Sequence, residues 1–503
     1  MTEETAPKLP SLRFWSKAFG AVLIVLLLLA AAYAYLGRKG LSRLRAELVA
    51  QGEILDWRQL GTNAAPHQTN GMPDIIVAAE ALPEMPSGLP LTPQIRTGVR
   101  VDVLQIEHYP AVVHRWDGTN INRNWVSNLW TELGSSVDPH RHVWQQGVDA
   151  TTNAIILHES DWAKGHAMRQ FSHSRLKPLG NWSRAAIAYD LQRGAHAQAM
   201  ETATNSLRVA HRTEGVPTVL GELVRHAHLS IIDPAIWWLL RHPWPDEDLA
   251  NLQHSLETIR ILEPALRAIE LERAQTIQAW EKLIGDPVHA VQLLGVGGRG
   301  SVLHDFGEVF GLRLWQLGPA HHDLGWYLQR FQIELEACRE ATRKKSFRLL
   351  HDRIMPAPKP PWIYLMSRHL YGSQEIFFRM TFRNQTRLQI TITAVALHRF
   401  RARHGQFPES LTELVPDLLD EVPADWMNGK SLRYQRKTPD EFRLWSVGKD
   451  GIDQGGDPHP PKGIAIWWLN GRDYVWPMAA TPEETRKYGE RNRAKWKAAT
   501  TKP

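Results

Sequence analysis

Eighteen consecutive residues without a charge, Phe19 to Leu36, constrain this chain more than any other stretch. A run of this length crosses a hydrocarbon core of roughly 30 Å as a helix, the one local fold that pairs every backbone N–H and C=O within the segment. Tyr33 and Tyr35 fall where interfacial aromatic rings belong. A cleaved signal peptide is the competing reading, since Lys8, Arg13 and Lys17 make a basic leader and Ala32-Tyr33-Ala34 imitates a small-x-small cleavage site. The uncleaved anchor is preferred, because the apolar run exceeds the usual ~7–15-residue core of a signal peptide and continues to the end of the candidate site. Arg38, Lys39, Arg43 and Arg45 beyond the run outnumber the three basic residues before it, so charge counting leaves the orientation open. A short tail (1–18) ahead of a first hydrophobic segment (19–36) fits a single-pass protein of the inner, cytoplasmic membrane. The tail is then inside and the body extracytoplasmic.

At 503 residues the chain has ample material for a core. One cysteine, Cys338, excludes an intramolecular disulfide framework and a Cys-based zinc site, and its sequence neighbourhood reads as a buried helix position. The balance of 59 Lys+Arg against 53 Asp+Glu is a mild excess, and no basic run is concentrated enough to track phosphates, so no nucleic-acid partner is expected. The 21 tryptophans are scattered, as core and interface packing requires.

Residues 38–370 are expected to form a mostly helical body. It opens with a stalk helix at 41–52, with Leu41, Leu44 and Leu48 at helical spacing and Gly52 as its C-cap. Residues 61–74 and 83–95 are rich in breakers and read as loops. Ser183 to Ala210 reads as a helix pair turning at Gly194, similar to a tetratricopeptide hairpin, although no second copy follows at a fixed period. Pro217 to Arg241, then Leu249 to Leu283 after an N-cap at Pro245-Asp246-Glu247-Asp248, extend the body.

Several strings invite a chemical reading and fail on context. Gly295-Val296-Gly297-Gly298-Arg299-Gly300 matches a dinucleotide-binding glycine pattern without a surrounding βαβ unit, so a loop is expected. Ser174-Arg175-Leu176-Lys177 and Ser446-Val447-Gly448-Lys449 match a Ser-x-x-Lys nucleophile string, but no Ser-Asp-Asn or Lys-Thr-Gly accompanies them. His140-Arg141-His142 and His321-His322-Asp323 could contribute metal ligands, yet surface or capping histidines are the simpler account.

Residues 371–480 read as an α+β module ahead of a charged tail at 481–503. Gln374 to His404 is a long helical pattern stopped by Gly405, and a second short helix is expected from Phe407 through Leu419. Asn428-Gly429 marks a turn, and Leu432–Gln435 with Phe442–Val447 make a hairpin. The order His404-Gly405, Phe407-Pro408, Asp425, Asn428-Gly429, Leu432-Arg433-Tyr434, Ser446, Gly448, Asp450-Gly451 and Gly455-Gly456 resembles the periplasmic part of type II secretion major pseudopilins. The resemblance implies a long helix on a small antiparallel sheet and a final loop that binds calcium. Its implied ligands here are Asp450, Asp453 and Asp457, with Ser446 or nearby carbonyls completing a hard-oxygen shell. The bland alternative is a solvated acidic turn whose glycines serve the backbone.

The departures limit what the likeness implies. Residues 37–373 separate the anchor from the module's helix, and Gly20 has no glutamate at the fifth position after it, so assembly into a filament is not expected. The whole chain resembles a group of membrane-anchored proteins of planctomycete and verrucomicrobial type. They share an anchor, a Leu-Arg-x-Glu-Leu-x-x-x-Gly-Glu stalk (Leu44 to Glu53), a helical body, this module and a following Asp473-Tyr474-Val475-Trp476-Pro477. The sequence therefore points to a mainly α, membrane-anchored, non-catalytic envelope protein that binds envelope proteins or cell-wall components. An anchored periplasmic hydrolase with dispersed catalytic residues, or a secretion-system accessory, is the alternative.

Overall fold

The computed structural model describes residues 12–60, 69–83, 129–152, 176–213, 218–285, 302–370, 374–456 and 473–476, with short strands at 95–96, 101–102, 112–114, 124–126 and 478–479. The first helix, α1 (Leu12–Ala50), is continuous, so the apolar run and the stalk are one rod. It is long and apolar enough to span a membrane, and Leu26, Leu27, Leu28 and Leu29 are all exposed. Gly52 ends the rod at φ +88°, while Glu53 N–H reaches back to the Leu48 carbonyl (3.0 Å), the closure of a left-handed C-cap.

A single turn, α2 (Trp57–Leu60), follows, and then α3 (Met72–Ala81). The loop expected through residue 74 therefore ends earlier. Pro73 sits in the helix's first turn, where its missing N–H has no intrahelical acceptor to lose. β1 (Ile95–Arg96) pairs antiparallel with β2 (Val101–Asp102), and β3 (Val112–His114) with β4 (Asn124–Val126).

The helical body continues as α4 (Leu129–Val137), α5 (Arg141–Asp149), α6 (Lys177–Gln192) and α7 (His196–Arg212). The α6–α7 hairpin turns at Gly194 (φ +77°), as the sequence indicates. Thr218 caps α8 (Val219–Leu239), its hydroxyl accepting from Gly221 N–H at 3.0 Å. The stretch expected to be helical from Leu249 to Leu283 is broken. It forms α9 (Asp246–Glu257) and α10 (Leu262–Gly285), and the intervening Ile259 and Ile261 turn into the core. Next come α11 (Val302–Leu317), α12 (Ala320–Arg343), α13 (Phe347–Ile354) and α14 (Leu365–Leu370).

The last long helix, α15 (Gln374–His404), has the predicted bounds, and Gly405 (φ +78°) ends it. The short helix expected through Leu419 shrinks to a 3-10 turn at Leu411–Leu414, held by a Ser410/Glu413 capping box. Val415 precedes Pro416 and is extended (φ −106°, ψ 134°), because the proline ring disfavours helical geometry at the residue before it. An antiparallel sheet of order β5-β6-β7 then forms from β5 (Arg433–Thr438), β6 (Glu441–Ser446) and β7 (Tyr474–Val475). The final strand, β8 (Met478–Ala479), pairs with β1.

α15 joins two hydrophobic cores. Phe377, Phe378 and Phe382 pack with α10, α12 and α13, whereas Ile390, Val395 and Leu397 pack with α7, α8, α9 and the sheet residues Phe442 and Leu444. The module thus shares its cores with the body. α12 grips α1 at two levels. At the end of the apolar run, the His322 ring stacks on Tyr33 (4.1 Å) and its Nε2 lies 2.8 Å from the Tyr33 carbonyl. A Cβ on Gly37 would meet that imidazole at 2.6 Å, so a larger residue there would displace it.

Candidate functional site

The expected acidic loop leaves β6 at Ser446 and is organised by two buried carboxylates from outside it. The first is Asp425, in the turn that Gly429 (φ +76°) closes with its N–H on the Asp425 carbonyl at 2.8 Å. Asp425 is wholly buried and accepts from Ser446 Oγ (2.7 Å), Val447 N (2.9 Å) and Met427 N (3.0 Å). Burial raises its pKa, and these hydrogen bonds oppose the rise. The second is Asp473, 1% exposed, whose Oδ2 accepts from Gln454 N (3.0 Å) and Gly456 N (2.8 Å). Its Oδ1 is buried without a hydrogen-bond partner. Burial, reinforced by the nearby Asp453 and Asp450 charges, pushes Asp473 up to about 6.

The residues singled out from the sequence have these places. Ser446 is fully buried. Its hydroxyl donates to Asp425 and accepts from Gly448 N at 3.2 Å. Asp450 accepts from Ile452 N (2.9 Å) and Gln454 Nε2 (3.0 Å). Asp453 accepts from Gly455 N (2.9 Å) and Trp445 Nε1 (3.0 Å), with Arg433 Nε at 3.4 Å; burial opposes its ionisation, but these partners lower its pKa overall. Asp457 lies outside the described residues. Among the described residues, no group of three or more His, Cys, Asp or Glu side chains is spaced to hold a metal ion. Asp473, which the sequence reading did not single out as a ligand, is the carboxylate that binds the loop amides of Gln454 and Gly456. The sequence signal was the run Asp473-Tyr474-Val475-Trp476, but pairing of β7 beside β6 (Ser446↔Tyr474) is what brings Asp473 to the loop.

Behind the loop is a cavity of about 280 Å³. One wall is a face of α15, with Ile376, Arg379, Met380 and Arg383 at spacings of three and four; the others are Met427, Ser446, Gly448, Lys449 and Tyr474. Three cations line it: Arg379, Arg383 and Lys449. Glu375 is shared between two of them, at 3.7 Å from Arg379 and 3.6 Å from Lys449. Burial, together with the neighbouring Arg387 and Arg379 charges, lowers Arg383 to about 10. These three cations share the lining with the apolar side chains of Ile376, Met380 and Met427, a combination that offers an anionic group charge-assisted donors beside an apolar surface. Sequence reading missed this site because Lys449 is distant in the chain from Arg379 and Arg383, and only the packing of α15 on the β6 loop joins them.

The other strings resolve into structural roles or fall outside the described residues. Gly295–Gly300, Ser174 and Arg175 are among the latter. His140 Nδ1 bonds the Ser136 carbonyl (3.0 Å), and His322 grips the anchor. Asp323 is buried beneath Trp315 Nε1 (2.8 Å) and the Met366 (3.0 Å) and Ser367 (3.1 Å) amides. Cys338 is buried, and burial raises its thiol pKa far out of the reactive range. No family model, curated protein or solved structure matches this chain.

Proposed function

We propose that the chain is a single-pass inner-membrane protein whose extracytoplasmic body binds, without catalysis, an anionic group of an envelope protein or cell-wall component. The observation that carries this reading is the cation-lined cavity of about 280 Å³ between α15 and the β6 loop. What weighs for binding over hydrolysis is the state of Ser446. A nucleophile needs a free hydroxyl beside a base, whereas this one is fully buried and donates to Asp425.

The test is calorimetric titration of the full-length protein in detergent with inorganic phosphate. Saturable binding is expected, and Arg379→Ala with Lys449→Ala should weaken it at least about tenfold, since each charge-assisted hydrogen bond contributes roughly 1.5–3 kcal/mol. No saturable heat from the unaltered protein, or equal affinity in the double variant, would refute the assignment.

A second reading keeps calcium at the loop on the strength of the unpaired Asp473 Oδ1 alone, since Asp450 and Asp453 are not spaced to join it in one ligand set. Loss of the calcium response on replacing Asp473, developed below, is its test.

A further inference from the structure

We infer that the protein has a second membrane contact, in which the end of α11 and the turn at Trp362 rest in the headgroup layer of an anionic bilayer. The inference rests on reading Phe19–Leu36 as the spanning segment. Leu314 and Leu317 are 53% and 73% exposed, and with Phe310 (55%) they follow i, i+4, i+7 spacing, hence one stripe of α11. Leu312 and Trp315, on the opposite side, are buried at 4% and 2%. Trp362, at 78%, is more exposed than any other large apolar side chain among the described residues.

Both patches are tied to the level at which α1 leaves the bilayer. Leu317 is separated from α12 only by Gly318-Pro319, and the first turn of α12 carries the His322 that stacks on Tyr33. Tyr364, two residues from Trp362, hydrogen-bonds the Tyr33 side chain. From Tyr33 and His322 the two helices rise side by side to Glu53, which bonds Gln332 and Arg339 of α12, so the exposed stripe ends at the lower end of this pair. The exposed charges at 310–319 and 355–368 are all basic (Arg313, Lys359 and Arg368), and Arg38 and Lys39 on α1 add to them. Apolar side chains under a basic rim, with an exposed tryptophan, suit an interface carrying anionic lipid headgroups.

Nitroxide labels on single cysteines placed at Leu27, Leu314, Leu317, Trp362 and Ile452 would test this. The full-length protein is reconstituted in vesicles of phosphatidylethanolamine and phosphatidylglycerol, and depth is read from collision with oxygen and a nickel chelate. Cys338 is 1% exposed, and a mock-labelled native chain controls for it. Labels at 314, 317 and 362 are expected roughly 5–10 Å below the phosphates, the depth of an interfacial helix. Ile452, 61% exposed on the β6 loop, is expected to read as aqueous. If Leu27 reads as mid-bilayer while 317 and 362 match Ile452, the second contact is wrong and the anchor stands. An aqueous Leu27 overturns both.

Discussion

Replacing Asp473 by asparagine should stabilise the protein at neutral pH and leave it almost unchanged in acid. Asp473 has a folded pKa of about 6 against 3.8 when unhindered. Below about pH 4 the carboxyl is protonated in both folded and unfolded chains and makes no difference. Between pH 4 and 6 the unfolded chain loses its proton while the folded one keeps it, so stability falls as pH rises through this window. The shift corresponds to about 3 kcal/mol at 1.36 kcal/mol per pKa unit, and water reaching the loop reduces it to about 2–3 kcal/mol. Asparagine keeps an oxygen for the Gln454 and Gly456 amides and removes the charge. Thermal melts of both proteins in detergent at several pH values should coincide near pH 4 and diverge, the variant higher, by pH 7.5. Adding calcium at pH 7.5 should raise the midpoint of the unaltered chain and not of the variant, because the cation would neutralise the charge that asparagine lacks. Parallel pH curves would refute the buried-charge account, and an equal calcium response in both proteins would refute a cation at Asp473.

Glu53 should behave in the opposite sense. Burial alone would raise its pKa, but hydrogen bonds from Arg339, Gln332 and Arg273 bring it down to about 2. It therefore contributes stability above pH 4.5 that is lost as pH falls towards 2, about 3 kcal/mol from this shift. Glu53→Gln should cost about 3–5 kcal/mol at pH 7 by leaving the fully buried Arg273 without its carboxylate, measurable as a lower unfolding midpoint and faster proteolysis. Leu444→Ala should cost about 2–5 kcal/mol, being wholly buried in the core shared by α15 and the sheet, with chemical denaturation as the readout. Gly429→Ala should lower stability by at least ~1–2 kcal/mol, since its φ is +76° and a Cβ would lie 2.9 Å from the Lys344 carbonyl, whereas alanine at exposed Gly285 of α10 should be neutral or stabilising.

Local signals carried the helices and turns. Gly52, Gly194 and Gly405 end helices where the periodic apolar pattern stops, and the bounds of α15 follow from Gln374 to His404 alone. The errors were local conflicts decided by one residue: Pro73 opening a helix, Pro416 shortening one, and the core-facing Ile259 and Ile261 breaking another. Sites formed by distant pairing were not legible. The bond between Ser446 and Asp425 was not legible because Asp425 lies in a separate turn, and the place of Asp473 beside the loop was not legible because strand pairing sets it. The cationic cavity depended on the same long-range packing.

Glu53 closes the C-cap of α1 and is held there by Arg273 Nη2 (2.9 Å), Gln332 Nε2 (2.8 Å) and Arg339, while His322 holds Tyr33 some five helical turns below. Fastened at both ends, the stalk cannot act as a tether on which the body swivels. It works as a strut: from Gly37 to Ala50 the helix rises about 20 Å at ~1.5 Å per residue. If the body binds a partner as proposed, that partner would meet it at a set height and bearing relative to α1, rather than over the range that a flexible tether sweeps.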